Sequence, residues 1–310
     1  MVKTNKTKFA ILATFILIAI ALGIWSIFTD SSPVNDFSTN LASIIIGLLI
    51  IPMAYKIAKK ATGNTNAGLF SAALSIAIPL YNWRTVGQLS LTLAIGFFFL
   101  TILLFTHLKE IGDWKKIIVV PLIFSFVHIY SLLLIPVFGL YFLFSKLESR
   151  KLNKNEIMFA GISSLFIFLI FLFFTASPAL FAIIKQYVGA HYYTIAAENF
   201  TLIKAFALAG MIPIYLGFLG TYFGLKIKKK VALLILSIIS VSFLAMAFNT
   251  TAIVLGLPYF TISLAIMAGF AYTEFEREVE ISKFKKYSKQ IIFIIFITVI
   301  LFGLLHQILN

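Results

Sequence analysis

The chain has 310 residues, of which 61% are apolar and only 12% charged, with a mean hydropathy of +1.04. A soluble domain carries roughly 25% charged residues, so this composition excludes a water-compatible surface and defines an integral membrane protein. It has no cysteine, which excludes disulfides and thiolate metal sites, and the net charge of +14 reads as lysines beside membrane spans rather than as a nucleic-acid surface.

A helix crossing a bilayer needs about 20 apolar residues. The first such run is 9–28, preceded by Lys3, Lys6 and Lys8. It is long for a signal peptide and no small-residue cleavage site follows, so it is expected to stay as the first helix. Further spans are expected near 40–57, 66–81, 88–106, 117–145, 157–176, 203–225, 231–248, 251–271 and 290–308. The stretch 117–145 is too long for one straight crossing and contains Pro121, His128 and Pro136. It is expected to split near His128 into two short helices. The fold class is therefore all-α, a single polytopic bundle of about 10–11 helices over residues 1–310.

Charge gives the orientation. With the N-terminus inside, the segments 1–8, 56–65, 107–116, 146–156, 226–230 and 272–289 face the cytoplasm and hold 22 of the 25 lysines and arginines, a strong positive-inside pattern. Both flanks of 117–145 are basic, so only a split there keeps the later loops on their proper sides. The C-terminus is then extracytoplasmic. The charged run 274–286 is expected to be a solvated amphipathic helix or linker. Trp25, Trp83 and Trp114 sit at expected span ends, as membrane-interface aromatics do.

Three basic residues are left outside: Arg84, Lys185 and Lys204. Arg84, in the stretch YNWRTVGQLSLT, is the sole formal charge between Lys60 and Lys109. Two readings are open: it snorkels to lipid headgroups, or its guanidinium holds an anion such as a lipid phosphate. Three of the eleven acids, Asp30, Asp36 and Glu198, share that face. The first outer loop, 29–39, is short. The loop 177–202 is the longest and brings Lys185, Tyr187, His191, Tyr192, Tyr193, Glu198 and Asn199 together. It is expected to include a short interfacial helix at 179–188. Its tyrosines read either as an interfacial belt or as part of a binding loop. No soluble-enzyme motif is present, and the four histidines are too far apart in sequence to suggest a zinc site.

The order of features resembles the GT-C superfamily of membrane glycosyltransferases. Residues 41–80 resemble its second and third helices, through Tyr55, Lys59, Lys60 and the run Gly68 to Leu74. Residues 115–142 resemble its broken helix pair, with His128, Tyr130 and Pro136 in the corresponding places. The run LGLPYFTISLAIMAGFAY (255–272) resembles a late helix of the family, without that helix's arginine. WRTVGQ and TIAAE (194–198) are similar to segments of the oligosaccharyltransferase catalytic subunit.

The resemblance implies transfer of a sugar from a polyprenyl-phosphate donor on the extracytoplasmic face of a prokaryotic plasma membrane, as in protein glycosylation. Asp30 or Asp36 would act as base. Arg84 and Lys185 would hold the phosphate, and Gln88, His191, Tyr193 and Glu198 would line the donor pocket. A divalent cation, Mg or Mn, is compatible with the family, and the sequence leaves it open. Partners implied are membrane lipids, the polyprenyl-phosphate lipid and other membrane subunits, with no nucleic acid.

Three departures define the alternatives. The first outer loop is far shorter than the family's. Gln88, Ser90 and Thr92 stand where oligosaccharyltransferases carry acids. The family's soluble C-terminal domain has no counterpart within these residues. The same fold could therefore serve as a non-catalytic subunit or lipid-binding protein. A transporter is the third reading, disfavoured because midplane ionisable groups are almost absent apart from His128.

Overall fold

The computed structural model describes residues 37–76, 89–176, 210–227, 229–248, 253–283 and 285–309, and every regular element among them is helical. Helix α1 (Phe37–Thr62) turns sharply into α2 (Thr65–Ile76). Gly63 adopts a φ of +80° and donates its N–H to the Lys59 carbonyl at 2.8 Å, a left-handed cap that suits glycine. The Asn64 side-chain oxygen then accepts from the Asn66 N–H at 2.8 Å and opens α2. Lys59 and Lys60 occupy the last turn of α1, where cations complement the helix dipole. A Cβ on Gly68 would stand 2.9 Å from the Tyr55 carbonyl oxygen, so the glycine lets α2 lie tightly against α1.

Helix α3 (Leu89–Thr106) runs beside α1 in the same direction, with Gly96 against Ile46 and Lys60 paired to Glu110. After it come the single turn α4 (Leu108–Ile111), a left-handed Gly112 and a 3-10 turn at Trp114–Lys116 capped by Asp113. The chain then re-enters the bundle as α5 (Val119–Val127), reverses at His128, and returns through a 3-10 turn (Ile129–Leu133) and α6 (Leu134–Leu147). Pro121 and Pro136 each lie in the first turn of their helix, where the missing N–H is harmless.

Ring contacts fix the depth of this hairpin. Phe124 stacks on Phe97 at 6.1 Å, Phe105 meets Phe138 at 5.1 Å and Tyr141 at 5.4 Å, and Tyr130 reaches Tyr259, which touches Phe98 at 4.8 Å. The split at His128 agrees with the sequence expectation. The reversal, however, lies level with the middle of α3 rather than at the far end of the bundle. The hairpin enters and leaves at the same end of the bundle.

Four longer helices complete the structure: α7 (Lys154–Ala176), α8 (Met211–Ile227), α9 (Lys230–Ala247) and α10 (Ile253–Ile281), followed by a 3-10 turn at Lys285–Tyr287 and α11 (Ser288–Leu309). Helix α10 is the central post, and every residue from 256 to 272 is buried. Apolar lipid provides little hydrophobic drive between helices, so small residues set how closely they pack. Gly217, Gly220 and Gly224 of α8 face Leu264, Met267 and Phe270 of α10, and a Cβ on Gly220 would lie 1.9 Å from the Met267 carbonyl oxygen. The opposite face of α8 exposes Met211, Tyr215, Phe218 and Tyr222, and α7 exposes Leu165, Phe168, Leu169 and Phe173. These apolar outer surfaces are what a lipid-embedded bundle presents.

Five helical stretches are long and apolar enough to cross a membrane: Ala42–Thr62, Ile129–Leu147, Lys154–Ala176, Lys230–Ala247 and Gly256–Ile281. Leu91–Thr106, Met211–Ile227 and Gln290–Val299 are shorter apolar helices. The chain's described elements are all helical, and the long apolar helices among them mark an integral membrane protein. Two boundaries differ from the sequence reading. Helix α1 continues past 57 through its lysines. Helix α10 continues past 271 to Ile281, so the first part of 272–289 is helix continuous with a span. At 1.5 Å per residue α10 is about 43 Å long, more than the roughly 30 Å hydrocarbon core, and its charged end projects beyond it. A salt bridge from Arg277 to Glu274 at 2.6 Å supports that end.

Candidate functional site

Element directions sort the two ends of the bundle. Helices α1, α3, α6, α8 and α10 run toward one end, and α2, α5, α7, α9 and α11 leave it. Every described lysine and arginine belongs to that end: Lys56 to Lys60, Lys109 to Lys116, Lys146 to Lys154, Lys226 to Lys230 and Arg277 to Lys289. The opposite end is where α1 begins, α2 ends, α3 begins, α7 ends and α8 begins. The residues singled out from the sequence, Asp30, Asp36, Arg84, Gln88, Lys185, His191, Tyr193 and Glu198, lie outside the described residues. The described helices flank the segments that carry them, and all five flanking helix termini lie at the lysine-poor end.

The α3 terminus beside Gln88 is informative in its own right. Thr92 is fully buried in the first turns of α3. The described start of α3 thus offers no carboxylate. Among the described residues no group of three or more His, Asp or Glu is placed to hold a metal ion.

Between the two ends lies the hairpin tip. His128 has an extended backbone (φ −157°, ψ 138°) and donates its own N–H to the Phe124 carbonyl at 3.0 Å, closing α5. Its imidazole Nδ1 accepts from the Tyr130 N–H at 3.1 Å and opens the 3-10 turn. The accepting Nδ1 places the ring proton of a neutral imidazole on Nε2. The ring stacks on Tyr130 at 4.8 Å. Irregular backbone at membrane depth must be satisfied within the protein, and one histidine does this on both sides of the break.

The lysine-rich end contains chemistry that sequence reasoning treated only as topology signals. Glu156, in the first turn of α7, is buried. Its Oε1 accepts from Lys230 Nζ at 2.7 Å and its Oε2 from the Tyr141 hydroxyl at 3.1 Å. Lys230 Nζ also lies 4.9 Å from the centre of the Phe105 ring. Helices α6, α7 and α9 thus meet at one carboxylate, and Lys230 links it to α3 through Phe105. The signal available in the sequence was an isolated acid directly followed by an apolar run, EIMFAGISS. A second polar joint ties the α1–α2 turn to α10: Asn66 Nδ2 donates to Glu276 at 3.0 Å and Asn64 Nδ2 to its other oxygen, while Lys229 Nζ donates to the Thr62 carbonyl at 2.8 Å.

A scan against protein-family models matches none, and a search of curated proteins finds no match.

Proposed function

We propose that the chain is a GT-C-like membrane glycosyltransferase that takes its sugar from a polyprenyl-phosphate donor at the lysine-poor end of the bundle. The observation that supports this most directly is the common end shared by the helix termini flanking residues 29–36, 77–88 and 177–209. Segments that begin and end on one face can contribute to one pocket. With the lysine-rich end taken as cytoplasmic, that pocket faces outward.

The chemistry assigned to it is a single displacement. Asp30 or Asp36 removes the proton from the acceptor nucleophile. The nucleophile bonds to the sugar's anomeric carbon as the bond from that carbon to the phosphate oxygen breaks, and the electron pair leaves with polyprenyl phosphate. Arg84 and Lys185 stabilise the charge on that leaving phosphate. Gln88, His191, Tyr193 and Glu198 hydrogen-bond the donor. The isoprenoid tail stays in lipid, so the phosphate sits at the interface where Arg84 is expected.

One observation favours a second reading. The buried Thr92 leaves the start of α3 without an acid, which suits a subunit that binds the same lipid phosphate without turning it over. Assay of the purified chain in lipid with labelled polyprenyl-phosphate sugar separates the two. An enzyme transfers label and loses transfer in Asp30→Asn or Asp36→Asn. A binder shows no transfer in any form, and its retention of the donor falls in Arg84→Ala.

A further inference from the structure

Helix α10 ends at Ile281 and α11 begins at Ser288. Ser282 bends the chain between them. Its N–H and its hydroxyl both donate to the Val279 carbonyl, at 3.3 and 2.8 Å, and its own carbonyl accepts from the Lys285 N–H at 3.1 Å. The 3-10 turn Lys285–Tyr287 follows. Residues 283–289 read KFKKYSK, four lysines in seven residues. The comparably basic run 226–230 is used differently: Lys229 donates to the Thr62 carbonyl and Lys230 to Glu156, so both are engaged by the bundle.

The acids of this segment are mostly taken. Glu274 and Glu278 pair with Arg277, and Glu276 accepts from Asn64 and Asn66. Glu280 remains, exposed, against four lysines. The other described acids of this end, Glu110, Asp113, Glu148 and Glu156, belong to the stretches 110–113 and 148–156. Lys283, Lys285 and Lys286 are exposed, and among the described residues none has an acidic partner within ion-pair distance. Lys286 instead lies 5.8 Å from the centre of the Tyr287 ring. Apolar groups flank these lysines in the open: Ile281 is 72% exposed and Tyr287 53%. Height is set by Glu276, which meets the α1–α2 turn, where those spans leave the hydrocarbon. Ile281 is five residues further, about 8 Å along the helix axis. The headgroup layer is itself about 5–8 Å deep on each side, so the turn stands at its outer face, within a Debye length of the phosphates.

We propose that the turn between α10 and α11 docks on the anionic phospholipid surface of the leaflet at the lysine-rich end, with Lys283, Lys285 and Lys286 against headgroup phosphates and Ile281 and Tyr287 set among the headgroups. A lipid surface answers both halves of the observation. Its negative charge balances lysines that the protein leaves unpaired, and its depth takes up exposed apolar groups interleaved with them. Clusters of four or more lysines directly beside a span bind anionic lipid in this way. The contact also anchors the start of α11, which packs on the bundle through Ile292, Phe296 and Val299 and exposes Phe293, Ile294 and Leu301. The surface is at the opposite end from the proposed sugar-transfer pocket and uses none of its residues.

The test places a nitroxide on Ile281→Cys in the full, otherwise cysteine-free chain and measures its collisions with a neutral water-soluble nickel chelate. The chain is held in nanodiscs of phosphatidylcholine alone or of phosphatidylcholine mixed with phosphatidylglycerol. The label is expected to be shielded in the mixed discs, open in phosphatidylcholine, and open again in the mixed discs at high salt, which screens the attraction. Each lysine near such a surface favours contact by roughly fivefold. Lys283→Gln with Lys285→Gln and Lys286→Gln is therefore expected to lower the contact equilibrium by about a hundredfold and to abolish shielding. Lys56→Gln with Lys59→Gln and Lys226→Gln, an equal charge change at other exposed positions of the same end, is expected to preserve it. Matching unfolding temperatures verify the fold of both triple variants, and the salt titration tests the proposal with no lysine changed. Equal exposure in the two lipids, shielding that persists at high salt, or equal losses in the two triple variants would overturn it.

Discussion

Glu156 and Lys230 stand 74 residues apart in sequence and meet at 2.7 Å, one at the start of α7 and the other at the start of α9. The carboxylate is buried and the ammonium largely so. Removing one partner from a buried pair leaves an uncompensated charge, at a cost of about 3–5 kcal/mol. Glu156→Gln and Lys230→Met are each expected to lower stability by that order in detergent unfolding. The double variant is expected to recover much of the loss. A double variant as unstable as the sum of the singles would show that the two side chains act independently.

The contact of α8 with α10 gives a sharper steric expectation. Gly220→Ala puts a methyl 1.9 Å from the Met267 carbonyl oxygen, a backbone atom with no flexible end to yield. Separating the helices is expected to cost about 1–3 kcal/mol. Gly139→Ala and Gly161→Ala, in α6 and α7, meet no neighbour within 4 Å. They are expected to be neutral or to stabilise by about 0.5–1 kcal/mol, because alanine favours helix. Thermal unfolding of the three variants side by side checks the order.

His128 closes one helix with its backbone and opens the next turn with its ring. Asparagine can present an oxygen to the Tyr130 N–H in the same way, whereas alanine cannot. His128→Ala is expected to destabilise by about 1 kcal/mol, the usual worth of such a cap, and His128→Asn by clearly less. Equal losses would assign the histidine's contribution to its stacking on Tyr130 instead of the cap.

Much of this architecture was legible in sequence because charge and length constrain each other. Basic residues on both sides of 117–145 required an even number of passes, and two prolines with a histidine marked where the chain could break. The depth of the reversal was not legible, because Phe97, Phe124 and Tyr259 carry no sign of their pairing until packed. The continuation of α10 past 271 was obscured by its charges. In the structure those charges are local helix partners, Glu274 with Arg277, or reach back to Asn64 and Asn66. The Glu156 joint was missed because its partners lie on four helices and each reads alone as an ordinary membrane-flanking residue. For the pocket proposed at the other end, the sequence supplied named residues, Asp30, Arg84, His191 and Glu198 among them. The structure contributes the helix ends that lead to them.

The native chain has no cysteine, so single-cysteine variants report sidedness without background. In sealed vesicles of defined orientation, an impermeant thiol reagent is expected to label Arg84→Cys and His191→Cys from one side. It is expected to label Lys116→Cys and Lys151→Cys, which bracket the hairpin broken at His128, from the other. Labelling of positions 84 and 191 from opposite sides would contradict a shared pocket, and labelling of 116 and 151 from opposite sides would contradict the hairpin that sets the direction of every later helix.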